Sequence, residues 1–369
     1  DDLRKDRSAL RAQSYGSGGV FAAPNGKRDD MKNRTMNGTP VSLKSAVRGA
    51  LWGVSLGDAY GMPMEMWSRE KSRSVFGKVE ELLPGHPENT ISHGRLAGET
   101  TDDSAFTRLI CDLIIRDGDV DPMKFVSGID EWLERGGEKN DLVLGPSTRK
   151  ALEAIENGLP PEEAGKAGRT DGAAMRILPV GIVWNWENSG ALISAVYRAS
   201  IATHNTNVAI SSAAAVAAAV SCAVRTGDLD AAVNAAAIAA DRAEIYGYKV
   251  SDVRISLQIE RAVELLSRSP DEESALTVLN ARIGTGLPAE EAVPAAIGLC
   301  FYAKGDALTC ARLCANAGGD TDTIGAMACG ICGGLRGYDS LPTREIAQIR
   351  EVSGIDWDPV AEALAKRMK

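Results

Sequence analysis

The sequence predicts an all-α protein in which a single compact domain of many helices, packed at orthogonal angles, follows an N-terminal arm. Apolar residues recur at helical spacing through nearly all of residues 41–369. The sequence shows no convincing alternating strand pattern and no fixed-period repeat. With 369 residues the chain can bury one large core, and no polar segment within 41–369 is long enough to divide it.

The predicted helices begin after Ser42, whose hydroxyl is suited to capping a helix N-terminus. Val47, Leu51 and Val54 share one face of this first helix, which we expect to give way to a polar loop at 57–65. Residues 66–98 are predicted to be mostly loops. Further helices are predicted from 103 onward and at 126–133, 147–155, 191–202, 207–225, 229–240, 255–267, 272–280, 289–303, 307–317, 324–332 and 359–368.

Residues 1–40 form the predicted arm, because they carry charges, glycine and serine but few apolar residues. Eight Lys/Arg and five Asp give this segment a net charge of +3, which leaves −12 for the remainder of a chain whose total is −9. Two interpretations stay open: a disordered extension, and a segment that binds a partner. The acidic body disfavours a general nucleic-acid binder.

The longest uncharged run, at 205–224, consists mostly of Ala, Ser and Val and lacks flanking aromatic anchors, which favours a core helix over a membrane span. The seven cysteines are odd in number and scattered, unlike a disulfide framework. Cys329 and Cys332, or Cys310 and Cys314, have spacings that zinc sites use, but they lie among apolar residues without a nearby histidine. We therefore expect small core residues, no signal peptide and a cytoplasmic location.

Carboxylates and threonines cluster in two segments that lead into helices, Thr101-Asp102-Asp103 and Asp320-Thr321-Asp322-Thr323. Asp58 and Glu65 add two more acids near the end of the first helix. Carboxylate and hydroxyl oxygens without histidine or cysteine suit Mg²⁺ or Mn²⁺, and this many acids would suit two ions that share bridging carboxylates. The alternative is that they are helix caps and surface acids, and spacing alone leaves the two interpretations equal.

Several short motifs follow one another along the chain: Gly57-Asp58-Ala59 with Glu65, Thr101-Asp102-Asp103, Met175-Arg176, Thr203-His204 and Gly318-Gly319-Asp320-Thr321-Asp322-Thr323. Their order resembles that of the ADP-ribosylglycohydrolase family over roughly residues 43–337. The resemblance implies an all-α fold with a binuclear Mg²⁺ or Mn²⁺ centre. By the same resemblance the metal ligands are Thr101, Asp102, Asp103, Asp320, Asp322 and Thr323.

The resemblance also implies catalytic and substrate-binding residues. Glu65 matches a glutamate that contacts a metal or its water and assists cleavage, while Asp103 with a metal-bound water is the alternative group for handling protons. The turn that receives ADP-ribose would comprise Asp171, Gly172, Ala173 and Met175. His204 resembles a substrate contact, the alternative being a cap for the following helix. Gly286 falls where relatives often place an aromatic residue near adenine, and that aromatic is absent here.

The activity implied is hydrolysis of the N- or O-glycosidic bond that joins ADP-ribose to a modified protein, with arginine as the favoured acceptor. Serine-linked and O-acetyl ADP-ribose are alternative substrates. The chain also resembles immunity proteins of this family, whose N-terminal extension enters the active site of an ADP-ribosyltransferase toxin. Residues 1–40 would then bind such a toxin, and a non-catalytic protein that acts by occlusion is the other hypothesis.

Overall fold

The computed structural model describes residues 35–36 and 39–369, and Asn33–Lys369 group into one compact unit. Thr35–Met36 (β1) and Thr39–Pro40 (β2) form a two-residue antiparallel pair, and the longer elements that follow in the described chain are all helical. The all-α prediction is confirmed. Most of the predicted arm lies outside the described residues, so its order and its boundary at residue 40 stay predictions.

Nineteen α-helices occur in the described part of the chain. The first nine are α1 (Leu43–Gly61), α2 (Arg69–Phe76), α3 (Asp102–Asp117), α4 (Pro122–Gly136), α5 (Glu138–Val143), α6 (Pro146–Glu156), α7 (Pro161–Ala164), α8 (Gly172–Met175) and α9 (Leu178–Val183). The others are α10 (Ser189–Ser200), α11 (Asn207–Thr226), α12 (Leu229–Ala243), α13 (Ile255–Ser267), α14 (Glu272–Arg282), α15 (Ala289–Tyr302), α16 (Ala307–Ala315), α17 (Thr321–Arg336), α18 (Thr343–Ser353) and α19 (Asp358–Ala365). Short 3₁₀ turns lie at Met62–Met64, Gly165–Ala167 and Tyr338–Ser340.

Helix periodicity located most of these elements, and the prediction for α13 matches both of its ends. Ser42 caps α1 as expected, since its side chain accepts a hydrogen bond from Ser45 N. Periodicity missed six helices of 4 to 11 residues, which are too short for a clear helical period: α2, α5, α7, α8, α9 and α18. The predicted loop at 57–65 is wrong over its first half, because α1 continues to Gly61 and Asp58 is a helical residue.

Glycines at four-residue spacing explain why α1 continues through this segment. A methyl group at Gly57 would lie 1.9 Å from the carbonyl oxygen of Gly325, and one at Gly61 would lie 2.3 Å from Asp322 N. A methyl group at Gly53 would lie 2.1 Å from the carbonyl oxygen of Cys329. The helices α1 and α17 therefore run antiparallel with their backbones in contact, and this packing outweighs the low helix propensity of glycine.

The helix α11 is the central core element of the unit. By length and composition alone, Asn207–Thr226 could cross a membrane. The apolar stretch of this helix is, however, completely buried inside the protein. It packs against α9, α10, α12 and α17. This burial is what the predicted core helix requires.

Five of the seven cysteines lie together where α15, α16 and α17 meet. All seven are buried free thiols, and Cys332 donates a hydrogen bond to Cys300 Sγ over 3.4 Å. The cysteine pairs considered for zinc lie on the buried faces of α16 and α17, where they act as small core residues.

Candidate metal centre and substrate turn

The ends of three helices meet at one place. Because α1 and α17 are antiparallel, the last turn of α1 lies beside the first turn of α17, and Thr321 Oγ1 donates a hydrogen bond to Gly61 O over 2.7 Å. The first turn of α3 joins them, since Thr323 Oγ1 donates to Asp103 Oδ2 over 3.3 Å. The two acid-rich segments, which are more than 200 residues apart in sequence, therefore share one site.

Carboxylates in this site form two overlapping groups. Asp58, Asp103 and Asp322 each place an oxygen within 4.8 Å of the others, and so do Glu65, Asp320 and Asp322. Asp322 belongs to both groups, as a carboxylate that bridges two ions would. The structure thus brings together Glu65 and three of the predicted ligands.

Five carboxylate oxygens at this site are buried without a hydrogen-bond partner, although such oxygens are normally satisfied. They are Glu65 Oε2, Asp103 Oδ1, Asp171 Oδ2, Asp320 Oδ2 and Asp322 Oδ1. Within the described chain, none of these carboxylates forms an ion pair with a lysine, arginine or histidine. These carboxylate oxygens have neither a hydrogen-bond donor nor a positively charged side chain beside them. Such oxygens are the ligands that divalent cations like Mg²⁺ or Mn²⁺ prefer.

The pKa shifts of the clustered carboxyl groups also indicate a site for cations. Burial raises the pKa of Asp103 and Asp322 well above the usual range, and the charges of neighbouring aspartates raise both further. Burial, followed by the charges of Asp322 and Asp320, also raises the pKa of Glu65 well above its usual value. Without cations, the cluster therefore favours bound protons over accumulated negative charge.

The remaining predicted ligands occupy different positions around these groups. Thr101 is the N-cap of α3, and its hydroxyl lies 3.1 Å from Asp103 Oδ2. Thr323 reaches the same oxygen from α17. Asp102 is buried, and burial raises its pKa to about 8, but it lies outside both carboxylate groups. Its role as a ligand stays a prediction.

Asp58 has a role that the sequence analysis did not assign. It accepts hydrogen bonds from Thr101 N over 3.0 Å and from Ser104 N over 3.1 Å, and from Ser104 Oγ over 2.6 Å. Burial raises its pKa to about 6 although these bonds favour the carboxylate. Asp58 therefore fastens the first turn of α3, and with it Asp103, to α1.

A buried hydrogen-bond chain supports Asp58 from the C-terminal part of the protein. Trp357 Nε1 donates to Ser55 Oγ over 2.8 Å, and the hydroxyls of Ser55 and Ser104 lie 3.0 Å apart. Ser104 in turn donates to Asp58. Trp357 lies 302 residues from Ser55, so no local sequence signal could have revealed this contact.

Glu65 is placed by backbone pairing with the Gly318-Gly319 segment. Met66 N donates to Gly319 O over 2.7 Å, and Gly319 N donates to Trp67 O over 2.8 Å. Gly319 has φ +79°, and a methyl group there would lie 2.1 Å from Thr285 O. Only glycine fits this position, which sets Glu65 beside Asp320.

The predicted substrate turn lies next to the same acids. Asp171 N donates to Leu287 O over 3.0 Å, and Asp320 N donates to Thr285 O over 2.7 Å, so the 285–287 segment links the turn to the start of α17. Gly286 is held by a hydrogen bond from its N to Glu291 Oε2 over 3.0 Å. The structure therefore groups the predicted residues Asp171, Gly172, Ala173, Met175 and Gly286 around one edge of the acid cluster.

His204 is fully buried beneath the turn. Its Nε2 lies 2.8 Å from Thr170 Oγ1 and its Nδ1 lies 2.7 Å from Thr203 Oγ1, so protein hydroxyls occupy both ring nitrogens. The helix that follows is capped by Thr206 instead, which accepts from Ala209 N. This geometry favours a supporting role for His204, and its direct contact with substrate stays a prediction.

Comparison with known proteins identifies a matching family and similar proteins. The model of the family described as ADP-ribosylglycohydrolase matches residues 39–369. The chain is 36% identical over 321 residues to YegU of Escherichia coli K12, described as uncharacterized, covering 87% of this chain and 96% of that protein. It is 24% identical over 359 residues to the ADP-ribosylarginine hydrolase Tri1 of Pseudomonas putida GB-1, covering 94% and 84% respectively.

A solved structure titled as an ADP-ribosylglycohydrolase-related protein complex has a similar fold. It superposes with a TM-score of 0.65 at 24% identity, covering 89% of this chain and 99% of that chain. The family match spans both acid-rich segments and the turn between them. The chain therefore belongs to the ADP-ribosylglycohydrolase family, which is associated in general with hydrolysis of bonds to ADP-ribose.

Proposed function

We propose that this protein removes ADP-ribose from arginine side chains of modified proteins with the help of two divalent ions, Mg²⁺ or Mn²⁺. The observation that carries the proposal is the set of five buried carboxylate oxygens that have no hydrogen-bond partner and meet at one site. Arginine is supported by the similarity to Tri1, which is described as an ADP-ribosylarginine hydrolase.

Asp103, Asp320 and Asp322 would hold the ions, with Thr101, Asp102 and Thr323 at the margins of the site. Bound ions supply positive charge that polarises water and the ribose hydroxyls. The carboxylates of the cluster would also stabilise the positive charge that develops on the ribose ring as the glycosidic bond breaks. Because the site is buried, these charges act with little screening by water.

Glu65 is the residue that we assign to proton transfer. Its Oε2 is unpartnered and lies within the group that contains Asp320 and Asp322. Glu65 precedes Met66, whose φ of +61° is unusual for a residue other than glycine. As a general acid or base, Glu65 would donate a proton to the leaving nitrogen or accept one from the attacking water.

Release of ADP-ribose from an arginine-ADP-ribosylated protein, measured with Mg²⁺ and with a chelator, tests this proposal. Asp103→Ala and Asp322→Ala are expected to lower the rate by roughly 100-fold or more, because each removes an unpartnered carboxylate. Asp112→Ala is the matched control, since Asp112 lies on α3 but is exposed and pairs with Arg108.

Full activity in the presence of chelator would contradict the metal-dependent mechanism. Release from serine-linked or O-acetyl ADP-ribose, without release from arginine, would keep the hydrolase and correct its substrate. Failure with all three substrates would make binding without catalysis the better explanation.

A second function, binding of an ADP-ribosyltransferase toxin through residues 1–40, is favoured by one comparison. The similarity to Tri1 covers 94% of this chain, which leaves about 22 of 369 residues outside it, fewer than the 40 residues of the arm. Part of the arm therefore has a counterpart in that protein. The net charge of +3 on residues 1–40 suits an acidic partner surface.

Deletion of residues 1–38 should abolish inhibition of such a toxin while leaving hydrolysis intact, because the described helical unit would retain the acid cluster. Asp322→Ala with an intact arm is the reciprocal control and should still inhibit by occlusion. Unchanged inhibition after the deletion would rule out occlusion by the arm.

A further inference from the structure

A line of four polar side chains crosses the interior from Arg176 to the edge of the substrate turn. Arg176 Nη2 donates to Thr203 Oγ1 over 2.6 Å, and the same hydroxyl lies 2.7 Å from His204 Nδ1. On the other side of the ring, His204 Nε2 lies 2.8 Å from Thr170 Oγ1. Arg176, Thr203 and His204 are fully buried, whereas Thr170 is only half-buried.

Arg176 fixes the direction of every bond in this line. A guanidinium only donates, so Thr203 Oγ1 must accept from it. Within the described chain that hydroxyl has one other hydrogen-bond partner, His204 Nδ1, and its buried proton is satisfied only by donating there. The ring must then carry its proton on Nε2 and donate to Thr170 Oγ1.

Arg176 is itself held firmly in place. Its Nη1 donates to Gly172 O over 2.7 Å, and its guanidinium lies 4.4 Å from the centre of the Phe125 ring. Burial lowers its pKa to about 9, which still leaves it protonated at neutral pH. Because Arg176 bonds to both the Gly172 carbonyl and Thr203, it links the substrate turn to this line of side chains.

The last hydroxyl in the line therefore has a proton left to donate. Thr170 Oγ1 accepts from His204, so its own proton is directed away from the ring, and Thr170 is the one member of the line that is only half-buried. Thr170 precedes Asp171, and its backbone pairs with Pro288, which follows the 285–287 segment. The residue with the free proton therefore lies beside the segment that links the substrate turn to the acid cluster.

We propose that Thr170 donates a hydrogen bond to an acceptor oxygen of the ADP-ribosyl group, and that Arg176, Thr203 and His204 orient it for that purpose. This inference rests on the proposed function for the identity of the ligand. Thr170 would be the substrate-binding residue, and His204, expected from the sequence to touch substrate, would be a positioning residue acting through it.

The binding test compares Thr170→Val, which keeps the branched shape but removes the hydroxyl, with Thr170→Ser, which retains the hydroxyl. Calorimetry with ADP-ribose on the Mg²⁺-loaded full chain should show Kd roughly 10–100-fold higher for Thr170→Val, as expected for a lost hydrogen bond to a charged acceptor. Thr170→Ser should stay within about threefold of the wild type. Equal Kd values for all three proteins would overturn the proposal.

The tautomer test is read on the wild-type protein, and a variant serves only to assign the signals of His204. The chain has only three histidines, so long-range ¹H–¹⁵N spectra of the rings are simple, and the signals lost in His204→Gln identify His204. We expect the Nε2–H tautomer and, on addition of ADP-ribose, a downfield shift of that proton as the line of bonds strengthens. An Nδ1–H tautomer, or no shift at saturating ADP-ribose, would overturn the proposal.

These outcomes separate the inference from the proposed function. A wild type that binds ADP-ribose through Thr170 but releases none from modified arginine would refute only the proposed substrate. A wild type that hydrolyses the arginine linkage while Thr170→Val binds as the wild type does would refute only the role of Thr170.

Discussion

At the scale of single residues, burial without partners distinguishes the side chains that are available to hold an ion from those that build the site. Asp58 is as deeply buried as Asp103, but its oxygens accept hydrogen bonds from both backbone and hydroxyl donors. Asp103 keeps one oxygen unpartnered. The first aspartate therefore supports the centre, and the second is available to an ion.

Substitution of Asp58 by asparagine tests this distinction. The new amide would offer one acceptor oxygen to donors that now use two, so the first turn of α3 should shift. We expect Asp58→Asn to weaken Mg²⁺ binding roughly 10–100-fold, as the loss of a residue that orients a ligand does. Calorimetric titration with Mg²⁺ measures this, with Asp112→Asn, a change at an exposed aspartate of α3, as the control. Wild-type affinity would show that Asp58 does not position Asp103.

At the scale of elements, the contact between α1 and α17 decides whether the centre exists. The two helices approach closely enough that glycines on α1 touch the backbone of α17, which sets the end of one beside the start of the other. Any residue that separates the helices would also separate Asp58 and Glu65 from Asp322. Stability and metal affinity should therefore fall together.

Gly57→Ala is the substitution that tests this contact. Its methyl group would lie 1.9 Å from Gly325 O. The backbone fixes the position of the methyl carbon, and the oxygen is itself a backbone atom, so neither can rotate away. We expect a loss of roughly 2–4 kcal/mol of stability, or no folding, by denaturant unfolding. Gly190→Ala on α10 is the control, because open space surrounds that position and alanine should be neutral or stabilising there. A Gly57→Ala protein as stable as the wild type would contradict the close approach.

At the scale of the whole molecule, the acid cluster couples folding to pH and to cations. Burial raises the pKa of Asp58 to about 6 and that of Asp102 to about 8, while unfolded aspartates titrate near 4. The folded metal-free protein thus holds protons that the unfolded chain has released. These two groups therefore contribute most to the free energy of unfolding of the metal-free protein below pH 4. Their contribution falls as the pH rises through 6 to 8.

Melting temperatures with and without chelator test this coupling. We expect the metal-free protein to melt roughly 5 °C or more lower at pH 8 than at pH 5.5, while Mg²⁺ should raise the melting temperature more at pH 8. Asp322→Asn, which removes one carboxylate, should weaken the pH dependence of the metal-free protein. The same pH dependence with and without Mg²⁺ would show that ions do not bind at these carboxylates.

The cytoplasmic location, the boundary of the arm and its partner remain predictions at this scale. The described cysteines are buried free thiols, and most of the arm lies outside the described residues. Fractionation of cells that produce the protein would test the location. The deletion of residues 1–38 proposed above tests the arm.

The sequence by itself determined the fold class, most of the helices and the acidic residues of the centre. These features depend on local spacing: apolar residues at helical period, Ser42 before a helix, and carboxylates beside threonines. Only the tertiary structure decided that α1 continues through Asp58, that Asp102 lies outside the carboxylate groups, and that His204 faces inward. Each of these depends on contacts between segments far apart in the chain, such as Gly57 with Gly325 and Trp357 with Ser55. Such contacts leave no periodic trace in the sequence, because they are set by how the helices pack against one another.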